Sequence, residues 1–347
     1  MQRSIPSLVA LICALLPASA AAARFATPDP LGFTPAPPPT YPLRGARLLV
    51  DPSDDLAGVV ASQIRRSQPE AAQQLAAIAD QPEAKRYGAW KPHPGPVVAK
   101  YLVKEEHLHP DEVPVLATYR LRHPPCGGVS DSRAEAGSYE HWYDDFARGI
   151  GRHRAIVFYE IDAVITAGCL SRHGLDVRVA EMRHAISALA ALPHTVVYVD
   201  AGAADAQPPA RVAHLLRRVG ISKIQGFFTN ATHQDWTSRE IRYGQAISRR
   251  TGGRHFVVNT ATNGRGPLVP HSRVRFGNSL HCNPRGRGLG PKPTGNPPTR
   301  YHALDGFFWI GNPGRSAGDC GHGDPPGGTF FLSYALMLIR NADYRIR

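Results

Sequence analysis

No stretch beyond the first residues approaches the roughly 18 uninterrupted apolar residues that a permanent membrane span needs, so none is expected. Cysteine is scarce, with 5 in 347 residues, and no two stand at the C-x-x-C spacing of a zinc ribbon or a redox motif, which argues against a thiolate metal site. No histidines show the i, i+4 pairing of a helical zinc site. His233, His255, His281, His302 and His322 are scattered and read as surface or hydrogen-bonded side chains, so neither a metal nor a cofactor is expected. Nothing repeats at a fixed period. Acidic residues are few, 28 against 40 Lys and Arg, for a formal net charge of +12. That balance would suit an anionic partner. Yet the densest basic clusters are only pairs, Arg65-Arg66, Lys85-Arg86, Arg217-Arg218 and Arg249-Arg250, which read as solvated helix faces. With no nucleic-acid-binding motif beside them, no nucleic-acid partner is expected.

The chain opens on an early cation, Arg3, a short apolar run from about Leu8 to Leu16, and small residues through Ala23. This is the pattern of a secretory signal, residues 1–23, and it predicts release to the periplasm or the exterior. Residues 24–43 are crowded with proline and should form an extended leader. Residues 44–347 read as one domain, ample to bury a core. A monomer is expected. Cys13 would leave with the signal, and Cys126, Cys169, Cys282 and Cys320 remain. An even number in an exported chain argues for two disulfides.

Beyond the leader, strand-like and helix-like segments alternate. Arg47 to Asp51, Val97 to Tyr101, Val113 to Tyr119, Ala155 to Glu160, Thr195 to Asp200, Ile224 to Phe228, Phe256 to Thr260 and Phe307 to Ile310 read as strands. Leu56 to Ala79, His141 to Ile150, Val177 to Leu192, Pro209 to Val219 and Arg239 to Thr251 carry helical spacing. Short, near-continuous apolar strands separated by helices predict an α/β protein with a parallel sheet, closed or nearly closed into a barrel. In such a barrel the polar residues just past the strand ends line the site. Here they include Tyr119, Glu160, Asp162, Asp200, Asn230 and Asn259. Pattern alone weighs catalysis equally against helix capping for Asp162 and Asp200.

At these ends the residues themselves are recognisable. Val157-Phe158-Tyr159-Glu160-Ile161-Asp162-Ala163, Val197-Tyr198-Val199-Asp200-Ala201-Gly202, and Gly226-Phe227-Phe228-Thr229-Asn230 followed by Trp236-Thr237 form one ordered set. Gly252 to Thr260 with Asn263-Gly264 and Gly266-Pro267, Cys282 to Gly290, and Phe308-Trp309-Ile310 with Pro313-Gly314 continue it. In order they resemble the E-P-D-A/S/L, Y-L-D-A-G, G-F-A-T-N, V-I-D-T-S-R-N-G-x-G-P, C-N-P-x-G-R-x-L-G and W-I-K-x-P-G segments of glycoside hydrolase family six, the secreted cellulases. The likeness runs from about Arg47 to Tyr344.

The resemblance implies a distorted parallel β/α barrel, a polysaccharide or oligosaccharide partner, and inverting hydrolysis of β-1,4-glucosidic bonds. It implies Asp162 as proton donor, Tyr119 beneath the sugar being distorted, and Ser130 positioning water. Asn230, Trp236, Asn259, Asn283 and Arg315 fall at substrate-binding positions. Cys126 would pair with Cys169, and Cys282 with Cys320. The departures are as instructive. Ile161 replaces the proline before the donor, Pro125 stands at the carboxylate of R-D-C-G, Ala317 at the base-like aspartate, and Arg315 at a glutamate. Gly311 replaces a sugar-binding lysine, His281 the W-C tryptophan, His233 an asparagine, and Ala203 and Ala206 a histidine and a tryptophan. Each lost indole forfeits sugar stacking worth about 1 kcal/mol, and lost acid-base assistance costs about 10²- to 10⁴-fold in rate. Three readings follow, one of them an unrelated chemistry or a purely structural exported protein. In another, an altered glycosidase keeps Asp162 as donor while Asp319 or Asp131 takes over the water, although Asp319 could instead anchor the turn before Cys320. In the third, a catalytically impaired descendant binds carbohydrate or the cell envelope.

Overall fold

The computed structural model describes residues 43–53, 55–121, 133–267 and 281–347. The signal and all but the last residue of the leader, together with Cys126, Ser130 and Asp131, lie outside the described residues. The described residues hold nine strands: β1 (Arg47–Leu48), β2 (Lys85–Gly88), β3 (Glu112–Val113), β4 (Val115–Tyr119), β5 (Ala155–Tyr159), β6 (Thr195–Asp200), β7 (Gly226–Thr229), β8 (His255–Asn259) and β9 (Leu304–Phe308). β1 pairs with β3. The other seven form one sheet in the order β2-β4-β5-β6-β7-β8-β9, every neighbour parallel. The sheet curls into a half-barrel.

Alternation along each strand divides the core, because successive side chains point to opposite faces. Val157, Tyr159, Val197, Val199, Phe227 and Val258 pack outward among the helices Arg133–Ile150, Arg172–Ala190, Pro209–Val219 and Thr237–Arg250. Ile156, Phe158, Tyr198, Phe228, Val257 and Phe308 fill the concave side. Phe158 is the hub there, with ring centroids 5.9 Å from Tyr198, 5.4 Å from Phe228 and 5.1 Å from Phe308. The interior is therefore packed, and chemistry is left to the rim at the strand ends.

The sheet does not close by backbone pairing between β2 and β9; side chains bridge the seam. Arg86 on β2 donates to the Ile310 carbonyl at 3.0 Å, while Asn312 donates to the Ala84 carbonyl at 3.0 Å and to Glu83 at 2.7 Å. β2 itself escapes the sequence pattern because Lys85-Arg86-Tyr87-Gly88 carries little apolar signal.

Two sequence expectations are corrected. Val97 to Tyr101 is not a strand but part of the helix Pro94–Leu108, which starts on proline at its first turn and buries Val98, Leu102 and Glu105 at helical spacing. Its remaining valines, Val97 and Val103, face solvent at 40% and 57% exposure. The segment from Leu56 to Ala79 is three helices, Leu56–Ile64, Pro69–Gln74 and Ala76–Ala79, broken where Pro69 opens a new first turn. No described helix is long and apolar enough to cross a membrane.

Candidate active site

The turn leaving β5 sorts three carboxylates into different jobs. Glu160 and Asp162 both have left-handed backbone, φ 55° and 70°, so their side chains diverge. Glu160 turns inward and is fully buried. Its carboxylate accepts the amides of Arg120 and Leu121, each at 3.0 Å, and the hydroxyl of Tyr143. Burial raises its pKa, and those hydrogen bonds oppose the rise. Glu160 thus fixes the chain leaving β4 and has no capacity left for substrate.

Asp162 stands at the N-terminus of the helix Ala163–Ala167 but makes no side-chain cap. Asp200, at the end of β6, does that work, accepting the Val164 amide at 3.0 Å and the Gly202 amide at 3.1 Å. Its burial pushes its pKa up to about 7, and the charge of Asp162 adds to the rise. The half-buried Asp162 receives a 2.6 Å hydrogen bond on Oδ1 from the Thr232 hydroxyl, while Oδ2 takes no hydrogen bond from any described residue. Two further side chains feel its charge. Tyr119 at the end of β4 has its phenol pushed up to about 12, by burial first and Asp162 second. Desolvation lowers Arg86 to about 10 against the pull of Glu83 and Asp162.

The three asparagines at predicted binding positions serve the protein's own backbone. Asn230, fully buried with φ 66°, donates to the carbonyls of Asn259 (3.1 Å) and Asp235 (3.3 Å) and accepts the Asp235 amide. Asn259 donates to the Asn230 carbonyl at 2.8 Å and accepts the Gly311 amide at 3.0 Å. Together they clasp the ends of β7, β8 and β9. Asn283 accepts the Ala317 amide at 2.8 Å and donates to the Gly318 carbonyl and to Asp324, shaping the loop that the Cys282–Cys320 disulfide closes. The Cys126–Cys169 pairing rests on a residue outside the described ones; Cys169 itself is disulfide-bonded.

Arg315 lies beside the barrel seam, where its Nε donates to Glu83 at 2.7 Å. Trp236 is half-buried at the head of the helix Thr237–Arg250, and its indole lies against Gly266, where a Cβ would come within 2.2 Å of it. Asp319 is exposed on the disulfide loop. Its carbonyl accepts the His322 and Asp324 amides, and its carboxylate has no hydrogen bond among the described residues. Thr232 and Arg86 were not among the sequence candidates. Thr232 follows the recognisable Thr229-Asn230 by two positions, and only the folded loop shows that it reaches Asp162.

A second polar group sits beside Thr232. His233 Nδ1 bonds Asp205 at 2.8 Å, and the His233 and His281 rings stack with centroids 3.9 Å apart. His281 Nδ1 meets Gln234 at 3.0 Å, and burial together with the neighbouring His233 lowers its pKa to about 4.

A packed parallel half-barrel with an uncapped carboxyl and a phenol at its strand ends is suited to acid–base catalysis at the rim. The chain belongs to the glycosyl hydrolases family 6, whose family model matches residues 43–342. It is 30% identical to Endoglucanase 1 of Streptomyces halstedii over 354 residues, covering 98% of this chain and 99% of that protein. It is 33% identical to Endoglucanase A of Cellulomonas fimi over 270 residues, 77% of this chain but only 56% of that longer protein. Among solved structures, the endoglucanase Cel6 of Mycobacterium tuberculosis, in complex with methyl-cellobiosyl-4-deoxy-4-thio-β-D-cellobioside, superposes with a TM-score of 0.75 at 34% identity, covering 86% of this chain and 98% of that one.

Proposed function

We propose that this chain is an exported glycosidase that hydrolyses β-1,4-glucan or a related polysaccharide with inversion, Asp162 delivering the proton. The observation that carries the reading is the division of labour between Asp162 and Asp200. Because Asp200 holds the Val164 amide, the carboxyl of Asp162 is spared from capping and left at the rim with one oxygen anchored by Thr232. In this mechanism the bond from the anomeric carbon to the leaving oxygen breaks as that oxygen takes the proton of Asp162. Water attacks from the opposite face and yields its own proton to a second carboxylate, and inversion needs the two carboxyls roughly 6.5–9.5 Å apart.

We assign the water side to Asp319, on the loop that Asn283 and the disulfide hold in place. Tyr119 would lie beneath the distorted sugar, with Ser130 helping to place the water. Asn230, Asn259 and Asn283 act by positioning backbone, Arg315 by holding the seam, and Trp236 lends its remaining face to the sugar. Likeness to endoglucanases over nearly the whole chain supports turnover over the reading as a binding protein alone. The test is reducing-end release by the purified chain from soluble β-glucans, cello-oligosaccharides and an anionic polysaccharide panel. Turnover on a β-1,4-glucan is expected, and saccharide binding without turnover on any substrate would refute the proposal.

A further inference from the structure

Three ligand-type side chains that the sequence scatters are gathered beside the candidate site. Asp205 follows the end of β6, His233 follows β7, and His281 precedes the disulfide loop. One ligand atom from each lies within 4.8 Å of the other two. Nε2 of His281 is shut off from solvent and has no hydrogen-bond partner among the described residues, and a buried nitrogen without a partner costs about 1–3 kcal/mol. Behind Asp205 stand Asp235 and Glu240, whose ligand-type oxygens also come within 4.8 Å of it and of each other. Oε2 of Glu240 is likewise buried without a hydrogen-bond partner among the described residues. The side chain of Arg239 meets Oδ2 of Asp235 at 3.1 Å.

We propose that Asp205, His233 and His281 form a binding site for a divalent transition cation of the zinc type. Two imidazoles and a carboxylate are the donor set such ions take, and three protein ligands leave a position open for water or a saccharide oxygen. Two features of the metal-free arrangement say how binding proceeds. Asp205 and His233 Nδ1 share a 2.8 Å hydrogen bond, so a cation held by both takes the place of that proton. The rings of His233 and His281 are stacked, 28° from parallel, whereas a cation shared by both must lie near both ring planes. Binding therefore turns one ring out of the stack. His233 and His281 stand where the family resemblance has asparagine and tryptophan, so the site replaces part of a sugar-stacking surface. The inference holds whether or not the chain hydrolyses glucan.

The test is calorimetric titration of the untagged full chain with zinc alone, with proton–nitrogen spectra of the histidine rings recorded in parallel. One equivalent of zinc is expected to bind, with the ring resonances of His233 and His281 moving. His281→Gln and Asp205→Asn each remove a ligand and should each weaken binding at least roughly tenfold, since even the loss of an outer-shell partner costs about 10- to 100-fold. Circular dichroism establishes that each variant folds, and because His281 as a residue is only half-buried, its variant carries the test should an Asp205 variant unfold. Absence of stoichiometric binding, or affinity and ring resonances indifferent to His281→Gln, would overturn the proposal.

Discussion

The hydroxyl of Thr232 donates a 2.6 Å hydrogen bond to Oδ1 of Asp162 from 70 residues further along the chain. It fixes the rotamer of a carboxyl whose backbone is already held in the left-handed region. Thr232→Val keeps the shape and removes the donor. It is expected to lower kcat by about 10- to 100-fold, the worth of one hydrogen bond to a charged group, while leaving KM nearly unchanged. Thr232→Ser should restore most of the rate, and steady-state kinetics on a soluble β-glucan measure both.

Asp200 carries a prediction about pH. Its pKa stands at about 7 in the folded protein against the ordinary 3.8, so between those values the folded state holds a proton that the unfolded state has released. Stability from this group is therefore fully present below about pH 4 and is lost as pH rises through 7, at up to about 1.4 kcal/mol per pH unit. Urea unfolding at a series of pH values should show that slope, and Asp200→Asn should flatten it. An unchanged slope in the variant would locate the titration elsewhere.

Asn259→Ala tests whether the clasp at the strand ends is structural. It leaves the Gly311 amide and the Asn230 carbonyl without their partner inside the protein, a loss of about 2–4 kcal/mol. The urea midpoint should fall accordingly, with activity falling alongside it because the ends of β7 and β9 are released together.

How much of this was legible in the sequence differs residue by residue. The buried strands β5 to β8 announce themselves because an apolar run between helices has few other uses. β2 does not, since Lys85 and Arg86 mask a four-residue strand whose role is to meet the far edge of the sheet. Val97 to Tyr101 has the composition of a strand, but helical packing of Val98 and Leu102 overrides that local preference. Asp162 and Asp200 were visible as strand-end carboxylates; which one capped the helix depended on a left-handed turn that no pattern encodes. The Asp205, His233 and His281 group was invisible, because proximity between loops leaves no period in the chain.

The most direct measurement is turnover of soluble β-glucan by Asp162→Asn beside the unaltered chain. Loss of about 10²- to 10⁴-fold in kcat, with saccharide binding retained, is the predicted result. Turnover by the variant equal to that of the parent would contradict the assignment of Asp162 as the proton donor.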